Sequence, residues 1–192
     1  GVFSVGSTID WLCKNNFLKE VKSSSNIIEN IKGENSVFMV PSFTGLSAPH
    51  WISNAKAIIN GIGLDTTKDH MVKAAFDGIA FQCSEVIKLL AKKQSNKIIE
   101  VCADGGPANN NYLMQKQSDL LNMEVKVSKE KNMTAFGAAL LAALGAKQIQ
   151  FSDLKNFAVD YEIFRPRISS DQRESEWDKW HKNIKIIKDI KS

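Results

Sequence analysis

The chain has 192 residues, a formal net charge of +4 and an apolar content of 43%. That is enough for one good-sized domain with its own core, and the modest charge does not point to nucleic acid as a partner. No apolar run approaches the ~20 residues of a membrane span, and no basic stretch leading into an apolar one is found at the start. The three cysteines, Cys13, Cys83 and Cys102, are widely spaced and each sits among apolar residues. They read as reduced core thiols of an intracellular, cytoplasmic protein. His50, His70 and His181 are scattered singly, and no spacing suits a metal site.

In chain order, Ile9 to Leu18 looks helical and Ser23-Ser24-Ser25-Asn26 looks like a loop. Ser36 to Pro41 reads as a short buried strand, Phe43 to Trp51 as a Gly/Pro-punctuated loop, and Ala57 to Ile62 as another strand. Thr67 is the expected N-cap of a long helix. Val72, Ala75, Phe76, Ile79, Ala80, Cys83, Val86, Ile87 and Leu90 recur at helical spacing and give it one apolar face. Lys97 to Ala103 reads as a buried strand, and a helix is expected from about Asn109 to Leu121. Glu124 to Val127 alternates like a half-exposed strand. The alanine-rich stretch from Thr134 to Leu144 predicts a helix packed tightly on a sheet, and Leu154 to Ala158 a short helical turn. Phe164-Arg165-Pro166 breaks the pattern. A last helix from Ser170 carries Trp177, Trp180, Ile184 and Ile187 on its core face, and lysines 182, 185, 188 and 191 on its wet face. Strands alternating with helices argue for an α/β sheet.

Asp104-Gly105-Gly106-Pro107-Ala108-Asn109-Asn110 joins the expected strand to the helix after it. A Gly-Gly turn at a helix start is an arrangement for holding phosphate. Glycine lets the backbone come close to a ligand, and free N–H groups at a helix start attract anions. A bare Gly-Gly pair is a weak signal, because most are only tight turns. No P-loop, no protein-kinase catalytic loop and no Ser-His-Asp set is present.

Specificity comes from a wider resemblance. Val40-Pro41-Ser42-Phe43-Thr44-Gly45-Leu46-Ser47-Ala48-Pro49-His50-Trp51 is similar to the Pro-x-Phe-x-Gly-Leu-x-Ala-Pro-Tyr-Trp loop of the glycerol kinases, in the FGGY carbohydrate kinase family. Asp104-Gly105-Gly106 with Asn110, then Leu113-Met114-Gln115, Gln117 and Asp119-Leu120, resembles that family's nucleotide loop. Thr134-Ala135 with Gly137-Ala138-Ala139 resembles the next helix start. Phe164-Arg165-Pro166 and the tryptophan-bearing final helix resemble the C-terminal end. Gly1-Val2-Phe3 through Gly6 to Leu12 is similar to a segment that runs from a strand into a helix.

The resemblance implies an α/β, RNase H-like domain of the actin-like ATPase fold. It is expected to be incomplete, its opening strands and the N-terminal catalytic half preceding residue 1, so that residues 1–192 are the C-terminal nucleotide-binding domain. It implies ATP with Mg²⁺ as cofactors, the Mg²⁺ ligands not being identified in this chain. Gly6, Asp10, Gly105, Gly106 and Asn110 are implied to line the nucleotide, with Gly105 and Gly106 at the phosphates and Asn110 at the adenine. Without the family match, Asn110 reads as a polar residue at a helix start. Asp10 stands where the family usually has glutamine, and Ile52 and Ala55-Lys56-Ala57 also depart from its pattern. The implied activity of the whole protein is transfer of the ATP γ-phosphoryl group to glycerol, giving glycerol 3-phosphate. Glycerol is held mainly by the N-terminal half, and the full-length enzyme is expected to be a homo-oligomer. No catalytic residue is expected in this fragment, which should be inactive alone. A related sugar or polyol kinase, or a non-catalytic oligomerisation or binding module, stays open beside this reading.

Overall fold

The computed structural model describes residues 5–33, 36–93, 98, 100–130 and 132–190. Gly1-Val2-Phe3, Lys97 and Ile99 of the expected buried strand, and Lys191 lie outside them.

Helix α1 (Val5–Lys14) buries Ile9 and Leu12. It stops where Asn16 turns left-handed, and Phe17 and Leu18 donate back to the Leu12 carbonyl. The triple-serine stretch expected as a loop instead forms a 3₁₀ turn (Val21–Ser23) and helix α2 (Ser24–Glu29). Strands β1 (Phe38–Val40) and β2 (Ile58–Asn60) pair antiparallel.

Helix α3 (Lys68–Lys93) is the axis of the core. Thr67 caps it as expected. Its hydroxyl accepts from the His70 N–H, and its own N–H donates to His70 Nδ1 at 3.1 Å, a reciprocal cap with an imidazole in the usual glutamate position. A Cβ on Gly78 would lie 2.4 Å from the Met39 carbonyl oxygen, so glycine is what allows α3 to lie directly on β1. Phe81 stacks on Trp180 with centroids 5.2 Å apart, and Trp177 meets the Phe81 edge. These rings come from helix α6 (Ser170–Asp189), which Ser169 and Gln172 cap reciprocally. Lys182, Lys185 and Lys188 lie on its exposed side, as its periodicity predicts.

The second sheet has the order β3-β4-β5. Strands β3 (Glu100–Ala103) and β4 (Glu124–Ser128) are parallel, with helix α4 (Asn111–Leu121) in the connection between them. Strand β5 (Tyr161–Phe164) adds antiparallel to β4. Its Tyr-Glu-Ile-Phe alternation was readable, but the following Arg-Pro hides it by suggesting a break.

Three expectations change. Strand β3 is half-exposed rather than buried, because it pairs only with β4 among the described residues. Cys102 on it is exposed, while Cys13 and Cys83 are half-buried, so only the latter two resemble core thiols. The alanine-rich helix α5 (Met133–Gly145) buries none of its residues. The expected tight packing on a sheet is absent among the described residues, and Leu141 is 70% exposed. No helix is long and apolar enough to cross a membrane among the described residues.

Candidate functional site

The Gly-Gly segment does not open directly into α4. Gly106–Asn109 forms a 3₁₀ turn with Pro107 at its start, and α4 begins only at Asn111. Proline supplies no N–H, so the turn offers fewer donors than a bare helix start would. The two glycines separate in role. Gly105 has φ 92° and ψ 176°, a region open essentially to glycine alone. Gly106 has an ordinary φ, and a Cβ on it would meet no protein atom within 4 Å. The fold therefore requires glycine at 105 and leaves 106 free.

Asn110 is the N-cap of α4. Its Oδ1 accepts from the Leu113 N–H at 2.7 Å, and its Nδ2 donates to Ser24 Oγ at 2.7 Å. Ser24 in turn donates to the Val21 carbonyl, and Ser25 Oγ accepts from the Tyr112 N–H. The side chain is 7% exposed. An amide has two N–H groups and two acceptor sites on its oxygen, so among the described residues one N–H and one lone pair remain beyond these two bonds.

Gly106 and Asn110 line one cleft of about 560 Å³, together with Ile9 of α1, Val21, Lys22, Ser25 and Phe76. Gly6 and Asp10 sit one turn apart on the exposed side of α1, and the lining comes from their neighbour Ile9. The structure thus brings Gly106 and Asn110 together, places Gly105 in the supporting turn, and leaves Gly6 and Asp10 at the outer face. Lys22, Ser24 and Ser25 were missed. Ser24 meets Asn110 across 86 positions of sequence, and no local pattern announces such a pair.

The remainder of the Asp104–Leu120 segment is scaffolding. Asp119 Oδ1 accepts from the Arg167 N–H and from Gln115, which also donates to the Arg165 carbonyl. Arg173 closes the same corner by donating to the Asp119 carbonyl and to Asn122 Oδ1. Gln115 and Asp119 therefore pin the Phe-Arg-Pro segment to α4. Gln117 bonds Cys83, whose thiol burial pushes up to about 11 despite that bond.

Beneath α4 lies a buried charge network that joins three helices. Asp77 of α3 accepts from Tyr112 Oη at 2.5 Å and from Lys73 at 2.6 Å, and lies 3.7 Å from Lys116 Nζ. Lys116 also pairs with Glu176 of α6. Burial alone would raise the Asp77 carboxyl; Lys116 and Lys73 outweigh it and hold it below the ordinary value. Burial would lower Lys116, and Asp77 with Glu176 outweigh that and raise it. Burial and Asp77 push the Tyr112 phenol well up, so it stays a neutral donor.

The histidines are not all solitary. His50 Nε2 lies 2.9 Å from Glu85 Oε2, and His181 Nε2 lies 3.8 Å from Glu85 Oε1. Among the described residues no cluster of three or more His, Cys, Asp or Glu is arranged to hold a metal ion.

The α/β architecture with its parallel β3–α4–β4 unit is that of the actin-like ATPase class of fold, which the solved structures below share. The FGGY family of carbohydrate kinases, C-terminal domain, matches residues 1–146, and the chain belongs to that family. It is 34% identical to the glycerol kinase of Pediococcus pentosaceus over 99% of its own length and 38% of that protein. It is 35% identical to the glycerol kinase of Acinetobacter baylyi, over 97% of itself and 38% of the relative. The crystal structure of Plasmodium falciparum glycerol kinase with ADP superposes with a TM-score of 0.85 at 33% identity, covering 95% of this chain and 37% of that one. A ligand-bound xylulose kinase from Lactobacillus acidophilus shares the fold, with a TM-score of 0.77 at 18% identity over 97% of this chain and 38% of that one. The chain thus spans a little over a third of the length of the curated relatives it matches.

Proposed function

We propose that this chain is the nucleotide-side domain of an ATP-dependent glycerol kinase, and that the cleft beside Gly106 and Asn110 receives the nucleotide. The carrying observation is Gly106. It lines the cleft, the fold does not need a glycine there, and its open face leaves room for a ligand. The likeness to a glycerol kinase solved with ADP supports the same reading. Glycerol is favoured over xylulose because curated glycerol kinases reach 34–35% identity where the xylulose kinase stands at 18%.

When bound, Mg-ATP supplies the phosphoryl group that passes to a glycerol hydroxyl and gives glycerol 3-phosphate, a reaction that depends on positioning and charge neutralisation. The residues of this chain bind and orient. Ile9, Val21 and Pro107 offer apolar surface to a base, and Asn110, held by Leu113 and Ser24, presents its remaining N–H as a fixed donor. The Lys22 ammonium attracts the anionic tail. Gly6 and Asp10 are assigned to the outer rim. The carboxylates here form no set suited to Mg²⁺ among the described residues, so the ion is assigned to the nucleotide's phosphates and to the part of the enzyme that the chain does not span. Glycerol is assigned to that same part.

The test is calorimetric titration of ADP into the 192-residue chain. ADP is expected to bind, Gly106→Val to weaken it at least tenfold at unchanged melting temperature, and glycerol-dependent ATP turnover to stay at background. A Gly106→Val chain that melts early yet binds ADP normally would reduce the loop to architecture.

A further inference from the structure

A cavity of about 660 Å³ opens between Pro49 and His50 of the loop after β1, the last turns of α3, and the middle of α6. It shares no residue with the cleft beside Gly106, and its size suits a small organic ligand. Pro49, Leu89, Ala91 and Trp177 supply the apolar part of its wall, and Lys88, Lys92 and the His50–Glu85–His181 group the charged part.

The charges on this wall do not cancel. Glu85 and His50 side chains are each 10% exposed and hold one another at 2.9 Å, and His181 approaches the second carboxylate oxygen. Lys88 and Lys92 have no carboxylate within ion-pair distance among the described residues. With both imidazoles neutral the wall still keeps one net positive charge, and protonation raises it. Burial, then Lys92 and Arg173, lower the Lys88 pKa against the pull of Glu85. Lys88 is also positioned. Its Nζ lies 4.0 Å over the Trp177 ring, and the Trp177 indole is fixed by its bond to the Leu120 carbonyl.

We propose that this cavity is a binding site for a small organic anion with a planar apolar body. The apolar wall takes the body, and Lys88 with Lys92 takes the carboxylate or phosphate. Such a ligand supplies the counter-charge that the wall lacks, and charge-assisted bonds of this kind are stronger than neutral ones. Its occupancy would join the His50 loop to α3 and α6.

The probes are 2-naphthoate and its neutral isostere 2-naphthamide. The readout is the indole N–H resonance of Trp177 in nitrogen-15-labelled chain. The proposal expects a saturable shift with 2-naphthoate, at least tenfold weaker binding of the amide, loss of that preference in the Lys88→Met/Lys92→Met double variant, and its retention in Lys88→Arg/Lys92→Arg. If the methionine pair fails to fold, Lys92→Met alone at the exposed end of α3 decides, and it must reduce the preference. No saturable shift, equal affinities, or a preference that survives loss of the lysines overturns the proposal.

Discussion

Helices α5 and α6 make opposite use of their sequences. Half of the residues of α6 are charged, yet it sinks Trp177, Trp180, Ile184 and Ile187 into the core. Helix α5 has no charged residue and buries nothing among the described residues. The nearby 3₁₀ turn (Phe151–Asn156), though it carries Asp153 and Lys155, likewise buries nothing among the described residues, with Phe151 81% exposed. Burial is therefore decided by whether a complementary surface faces a helix, and apolar composition alone does not produce it. In α6 the apolar residues recur at one angular position and meet Phe38 and Phe81. In α5 they surround the helix, and an exposed apolar surface of that kind marks a contact with something else.

The widest separation between the two regions should appear in truncation. Trp180→Ala is expected to cost about 3–5 kcal/mol, as large-to-small changes in packed cores do. The Trp180 indole N–H has no hydrogen-bond partner among the described residues, so Trp180→Phe should cost much less. Urea unfolding checks both. A Trp180→Ala cost below about 1 kcal/mol would remove the contrast with α5.

Next comes the network that fastens α4 and α6 to α3. Lys116→Met leaves Asp77 as a buried carboxylate with Lys73 and the Tyr112 hydroxyl beside it, and breaking a buried pair costs about 3–5 kcal/mol. The pH dependence follows from the directions of the shifts. Asp77 is lowered when folded, so its contribution is present above the ordinary carboxylate pKa of 3.8 and is lost as pH falls through the lower folded value. Lys116 is raised, so its contribution is present below 10.5 and is lost as pH rises through the higher folded value. Unfolding free energy measured against pH should fall on the acid side, and this acid limb should flatten in Lys116→Met. An unchanged acid limb would remove Asp77 from the network.

A smaller effect divides the two loop glycines. Gly105→Ala must hold alanine in a glycine-only region and should cost about 1–3 kcal/mol, whereas Gly106→Ala should stay within about 0.5 kcal/mol, as surface changes usually do. Equal losses in melting temperature would refute the separation. The smallest effect is expected at α5. Leu141→Lys should leave unfolding free energy within about 0.5 kcal/mol and reduce self-association in sedimentation velocity. A large loss of stability there would show that α5 is packed after all.

The sequence by itself determined the local elements and the family. Thr67 announces a helix start because a side-chain oxygen satisfies the free N–H groups of a first turn. The tryptophan face of α6 is legible because 3.6-residue periodicity is a property of the helix alone. The ordered motifs around Phe43, Gly105 and Phe164 carried the family resemblance. Tertiary structure decided the rest, because contact between distant residues has no local signature. It turned the serine stretch into the support for Asn110. It divided Gly105 from Gly106 by a backbone angle and an empty volume, and it gathered His50, Glu85 and His181 from a loop and two helices. It also left α5 uncovered, since alanine-rich sequence reads the same whether or not a surface faces it.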